Sequence, residues 1–251
     1  MEWDSKQYLK YAEERKQPCL DLLAMTDGEF NRILDLGCGP GNSTENLKAK
    51  YSRAEITGLD ADDNMLQKAR KDHPDIDFVK GFAPNDFDKL TGKFDLVFSN
   101  ACIHWIPEQE KLIAGVYELL NENGMFAVQI PLTDEARFYR LMYRLIDRKW
   151  GKLKAIRNFH NLDARGYYNA LSKHFKNIGM RQCSYYHTVK RCEVLEWYKG
   201  SGLRPYLDAL GEAERTDFLK DLQKEIDAEY GLLDDGNVFL IMPRLFFTAT
   251  K

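Results

Sequence analysis

The stretch RILDLGCGPGNST, residues 32–44, decides the reading of this chain. Ile33, Leu34 and Leu36 suit a strand buried on both faces. Gly37, Gly39 and Gly41 then permit a tight turn with close ligand approach, and Asn42 or Ser43 is placed to cap a following helix. A strand running through a glycine-rich loop into a helix predicts a nucleotide-like cofactor held by main-chain groups. A dinucleotide fingerprint wants glycine at its first, third and sixth positions, and the sixth here is Asn42, which counts against a pyrophosphate. Asp35, just ahead of the first glycine, would repel a phosphate and attract a cation, directly or through water.

A second apolar segment, AEITGLD, ends in Asp60, 23 residues beyond Gly37. A carboxylate there accepts hydrogen bonds from both hydroxyls of a ribose. Together these residues ask for an adenosine carrying a positive charge.

With DLGCGPG followed by GLD, the chain resembles the S-adenosylmethionine-dependent class I methyltransferases. The resemblance implies an α/β fold: a doubly wound Rossmann-like sheet, mostly parallel with a late antiparallel strand, plus a helical lid. Outside the cofactor motif the likeness extends to the trans-aconitate 2-methyltransferase family, through YLKYAEERKQP (8–18), FSNACIHWIP (98–107), AVQIP (127–131), YYHTV (185–189), GLRPYL (202–207) and MPRLFFTA (242–249). That family methylates a carboxylate of a small tricarboxylic acid. The implied cofactor is S-adenosyl-L-methionine, leaving S-adenosyl-L-homocysteine as product.

Composition sets the outer limits. With 251 residues, the chain is long enough for one large α/β domain carrying a helical elaboration. We expect a cofactor core over 1–130, lid segments over about 131–175 and 192–232, and closing strands at 178–189 and 237–249. A formal net charge of -3 supplies no broad positive field for nucleic acid. The five scattered cysteines never form a Cys-x-x-Cys pair, so neither a disulfide framework nor a zinc site is expected, and no metal is assigned. No apolar run approaches a bilayer span and the N-terminus is polar, so a cytoplasmic protein without membrane partners, working as a monomer, is expected.

Up to Gln129 the pattern alternates. Apolar strands are predicted at 32–36, 55–59, 76–79, 96–99 and 125–129, with amphipathic helices at 42–51, 62–72 and 108–120, the last stopping at Gly124. Helical segments follow at 133–151 and about 192–230, and strands at 180–189 and 238–249. Ligands in such sheets bind outside the carboxyl ends of the strands, which puts Gly37, Gly39, Gly41, Asp60, Phe82 and Asn100 on one edge.

Through the resemblance, Ala61, Met65 and Ala101 join that cofactor set, and Arg15 meets the methionyl carboxylate from an N-terminal helix bearing Trp3, Tyr8 and Tyr11. Relatives place an acidic residue for the adenine amino group where this chain has Phe82. Phe82 is expected to pack on the purine while a backbone carbonyl takes its amino group, the alternative being Asp86 from the next loop. Trp105 closes over the cofactor and His104 touches an acceptor carboxylate. Arg204 and Arg244, in the family-like motifs, are the candidate cations for a polyanionic acceptor, with Tyr185, Tyr186 and Tyr206 as hydroxyl donors. His187 is a weaker candidate, and His73, His160 and His174 are given no role. No base paired with an orienting group is evident, so positioning is expected to carry the reaction, with no dedicated catalytic residue.

The six basic residues of RLIDRKWGKLKAIR (144–157) would either draw in anions or form a solvated helix face. Methylation of a malonyl group on a carrier protein, a non-catalytic cofactor-binding protein and a nicotinamide dehydrogenase are the competing readings.

Overall fold

The computed structural model describes residues 12–156, 159–200 and 202–251, with side chains from Lys16 onward. Trp3, Tyr8 and Tyr11, and the side chain of Arg15, lie outside the described residues. Seven described strands form one sheet: β1 (Arg32–Leu36), β2 (Glu55–Asp60), β3 (Asp77–Lys80), β4 (Phe94–Asn100), β5 (Leu120–Pro131), β6 (Lys176–Val189) and β7 (Val238–Thr250). Their order is β3-β2-β1-β4-β5-β7-β6. β1 to β5 run parallel, and β7 is antiparallel to both β5 and β6. The order reverses between β1 and β4, and that switch point opens the crevice in which such sheets bind ligands.

Helices α1 (Ala12–Ala24), α2 (Asn42–Lys50), α3 (Asp63–Asp72) and α4 (Gln109–Leu119) flank the parallel part. β1 and β4 read as apolar runs because both faces are covered: Leu34, Leu36 and Val97 pack into one cluster, while Ile33, Leu96 and Phe98 meet Leu22 and Leu23 of α1 in another.

The segments assigned to a lid form a helical cluster of α5 (Arg137–Lys149), α7 (Arg191–Lys199), α8 (Arg204–Asp208) and α9 (Glu212–Glu229). It has a core of its own, in which Phe138, Leu141, Trp197, Tyr198, Tyr206, Phe218 and Leu222 pack with Val238, Leu240 and Met242 of β7. Phe138 and Tyr198 stack at 3.7 Å between ring centroids. Four cations of the basic run at 144–157 are held in ion pairs on the protein itself. Arg144, Arg148, Lys149 and Lys152 pair with Glu229, Glu225, Asp221 and Glu214 of α9.

Three expectations change. Helix α4 ends at Leu119 and not at Gly124, because Leu120 takes extended backbone and pairs with Phe94, so Gly124 falls inside β5. Neither Asn42 nor Ser43 caps α2: Gly41 is its N-cap, and the Ser43 hydroxyl turns back to Asp35. Finally, α6 (Ala164–Leu171) lies within the segment assigned to the lid, yet it packs Tyr167, Ala170 and Leu171 on the sheet core; Asp163 caps it by accepting from the Gly166 N–H at 2.7 Å. No described helix is long and apolar enough to cross a membrane.

Candidate active site

The loop after β1 takes its shape from two glycines. Gly37 has φ +78°, and a Cβ there would stand 2.1 Å from the Cys102 sulfur, so the turn and the segment after β4 touch through a missing side chain. Gly39 has φ +54° and, among the described residues, nothing within 4 Å of where a Cβ would point, which leaves room above the loop. The Gly39 N–H donates to Asp60 Oδ2 at 2.9 Å, and the Asp62 N–H donates to Asp60 Oδ1 at 2.9 Å. Asp60 is thereby fixed at the carboxyl end of β2, with a lone pair on each oxygen left for a ligand hydroxyl. Burial raises its pKa from the ordinary carboxylate value.

Asp35 lies fully buried below the loop. The hydroxyls of Ser43 and Thr44 donate to its Oδ2 at 2.7 and 2.6 Å, and Oδ1 has no hydrogen-bond partner among the described residues. Desolvation raises its pKa to about 6 against those two hydroxyls. A buried carboxylate with one unmatched oxygen fits a cationic ligand group above the loop, and the bare ground at Gly39 fits its approach. The residues present therefore suit a sulfonium nucleoside.

Phe82 extends from the end of β3 with 60 % of its surface exposed, as an aromatic platform for a purine requires. Asp86 is already engaged, accepting the Phe82 N–H at 2.8 Å and pairing with Lys89 at 3.1 Å. Ala61 follows Asp60 at the edge, whereas Met65 is buried on α3 beneath it. Gly41, at φ +96°, starts α2.

Beside this edge, beyond β4, β5 and β7, lies a pocket of about 140 Å³. Asn100, Ala101, His104, Trp105 and Arg244 line it, as do Gln129, Thr133, Tyr139, Phe159 and Tyr198, with Pro18 of α1 on one side. Asn100 and Ala101 thus belong to both the loop edge and the pocket, and join them into one site. Ala101 adopts φ +53°, with its N–H held by the Gln129 carbonyl at 2.8 Å.

Among the described residues, Asn100 Oδ1, His104 Nδ1 and Gln129 Nε2 of this pocket are buried without a hydrogen-bond partner. Such groups cost about 1–3 kcal/mol each, so their clustering marks a place for a polar ligand. The His104 ring sits against Trp105 and Phe159, with centroids 5.0 and 5.6 Å away. Burial, with the Arg244 guanidinium nearby, drives its pKa down to about 3, so the imidazole is neutral. Trp105 packs on Phe159 at 4.7 Å.

The structure does not bring the remaining candidates to this pocket. Arg204 starts α8, where its Nε lies 3.9 Å from Asp208. Tyr186 is 62 % exposed and meets Phe239 edge-on on the far part of the sheet. Tyr185 donates to Asp21 of α1, Tyr206 belongs to the lid core, and the His187 ring lies 5.0 Å from Trp197. Conversely, Gln129, Thr133, Tyr139 and Tyr198 carry no assignment from sequence. For Gln129 the available signal was an amide within the apolar run AVQIP, at the carboxyl end of a strand. The hydroxyls on the lid give no such signal, since aromatics at helical spacing read as core.

Comparisons with known proteins agree with this geometry. A family model described as a methyltransferase domain matches residues 33–124. A trans-aconitate 2-methyltransferase of Agrobacterium fabrum is 38 % identical over 100 % of both chains, and one of Escherichia coli is 33 % identical over 100 % of this chain and 98 % of its own. Among solved structures, the YcgJ protein of Bacillus subtilis superposes with a TM-score of 0.62 at 15 % identity, covering 94 % of this chain and 98 % of its own. A Haemonchus contortus phosphoethanolamine N-methyltransferase 2, in complex with S-adenosylhomocysteine, gives 0.54 at 17 %, covering 94 % and 52 %. With class I sheet order, the cofactor loop and full-length relatives in agreement, the chain belongs to the trans-aconitate 2-methyltransferase family of S-adenosylmethionine-dependent methyltransferases.

Proposed function

We propose that this protein transfers a methyl group from S-adenosylmethionine to a carboxylate of trans-aconitate, giving a methyl ester. One observation supports this most: the cofactor loop opens, through Asn100 and Ala101, into a pocket holding Arg244 and three unmatched buried polar atoms. The relatives aligned over the full chain carry the same substrate in their names. When bound, the cofactor supplies an electrophilic methyl on a sulfonium; the protein's part is to bind, orient and exclude water.

Asp60 accepts the two ribose hydroxyls and Asp35 faces the methionyl ammonium, with the main chain of Gly37, Gly39 and Gly41 beneath. Phe82 covers the purine, and Ala61 and Met65 complete that wall. Arg15 remains assigned to the methionyl carboxylate. Trp105 and Phe159 close the pocket over the reacting centre, and Arg244 and the neutral His104 hold the acceptor. A carboxylate with an ordinary pKa near ~4 is already ionised at neutral pH, so no side chain has to remove a proton. A neutral His104 agrees with that.

The protein works as a cytoplasmic monomer without nucleic acid; its small net negative charge supports the last point and sedimentation tests the first. Incubation with methyl-labelled cofactor and trans-aconitate should yield a labelled ester. No ester from trans-aconitate alongside clear turnover of another acid would remove the named substrate.

A further inference from the structure

Gln129 is buried to 1 % exposure in an apolar strand. Its backbone carbonyl holds Ala101, yet among the described residues its amide nitrogen Nε2 has no partner. The sheet register fixes its neighbours. Gln129 lies directly beside Asn100 on β4 and opposite Phe246 on β7, while Arg244 lies opposite Pro131. All of Asn100, Gln129 and Arg244 therefore share one face, with Arg244 on the diagonal from Gln129, at the ~7–8 Å typical of such neighbours. Asn100 ends the strand beside β1, so of the two donors Gln129 lies nearer the cofactor loop and Arg244 farther from it.

We propose that Gln129 binds the carboxylate that is methylated, while Arg244 binds a second carboxylate of the same molecule, so that the acceptor must be at least a dicarboxylic acid. This rests on the carboxyl methyltransferase reading above. A neutral amide donor aligns the reacting oxygen without an ion pair that would withdraw its electron density. It also suits the product, since an ester still accepts a hydrogen bond while a guanidinium would be left facing a neutral group. In the transfer a lone pair of the carboxylate oxygen forms the new C–O bond, the methyl–sulfur bond breaks with its pair staying on sulfur, and no proton moves. The negative charge of the oxygen and the positive charge of the sulfonium disappear together.

The test measures kcat and KM of the full chain on trans-aconitate, on an unsaturated dicarboxylate and on the matching monocarboxylate, with product-cofactor affinity by calorimetry. Gln129→Met should lower kcat ~10–100-fold, the worth of a hydrogen bond to a charged group, with KM and cofactor affinity changed less than about threefold. Arg244→Gln should instead raise KM ~10–100-fold and spare kcat. The monocarboxylate should show kcat/KM at least ~100-fold below the dicarboxylate. Gln129→Glu, equal in size, should lose activity on all acids by setting carboxylate against carboxylate, and covers the case in which the methionine variant misfolds.

Unchanged kcat in both Gln129 variants, a rise in KM alone, or equal use of the monocarboxylate would overturn the assignment while leaving the methyltransferase reading intact. A wild-type protein active only on another polyacid removes trans-aconitate, and the same variants then decide on that acid. A wild type inactive on every acid ends both.

Discussion

The contact between Gly37 and Cys102 gives a quantitative test of how the cofactor loop is held. In Gly37→Ala the new methyl would lie 2.1 Å from Cys102 Sγ and 2.3 Å from its Cβ, where 3.4–4 Å is ordinary contact. Two costs add. A left-handed alanine costs ~1–2 kcal/mol and overpacking ~1–3 kcal/mol, together about 2–5 kcal/mol. For a chain of this size that corresponds to a fall in Tm of roughly 4–20 °C. Gly39→Ala carries only the backbone cost, since nothing lies within 4 Å of its Cβ, and should lose roughly 2–8 °C.

Cofactor binding should show a different order at Gly39, where the methyl enters the ground the ligand needs and affinity falls more than stability suggests. In the double variant Gly37→Ala/Cys102→Gly the nearest remaining Cys102 atom is Cα at 3.7 Å, so the overpacking part should be recovered relative to the sum of the single changes. Thermal unfolding by circular dichroism without cofactor, and calorimetry with S-adenosylhomocysteine, read the two effects separately. Equal melting points for the two alanine variants, or no coupling between positions 37 and 102, would refute the reasoning.

We predict further outcomes. Asp60→Ala removes two charge-assisted hydrogen bonds to ribose and should weaken cofactor affinity at least ~100-fold by calorimetry, with the acceptor's KM little changed. His104 has its pKa lowered from 6.5 to about 3. The unfolded chain therefore binds a proton that the native one refuses, and the stability its neutral form contributes is lost as pH falls below 6.5. His104→Gln should accordingly lose about 2 kcal/mol less than the parent between pH 7 and pH 5, measured by denaturant unfolding. Asp35 runs the other way: its pKa is raised to about 6, so the native state gains a proton first and the parent is relatively favoured as pH falls through 6. Arg204→Ala should leave the acceptor's KM within about threefold, because Arg204 faces Asp208 and not the pocket. Tyr185→Phe should loosen α1 from the sheet and cost ~1–3 kcal/mol, seen in hydrogen exchange of 12–24.

How legible the molecule was from its sequence depended on the range of the interaction. β1 was readable to the residue, and Asp60 and the glycines fell where expected, because a buried parallel strand and a tight loop are dictated by adjacent residues. Gly124 misled because it is a helix-stopping residue in general, whereas here pairing of Leu120 with Phe94 had already ended α4. The capping of α2 was misread since Ser43 and Thr44 serve a buried carboxylate eight and nine residues back, a demand invisible in local propensity. Gln129 went unassigned for a similar reason: that its amide nitrogen meets no partner among the described residues is visible only in the packed structure. Arg204 and Arg244 looked alike in their motifs, and only the packed structure, which lines the pocket with Arg244 and sets Arg204 beside Asp208, separated them.

The separate packing of the lid has a consequence for redesign. Most of the acceptor pocket's aromatic wall, including Tyr139, Trp197 and Tyr198, is anchored in the helical cluster, whereas Asp35, Asp60 and the glycine turn rest on the sheet. Libraries that vary the former can alter which acids are accepted without touching the nucleoside cradle.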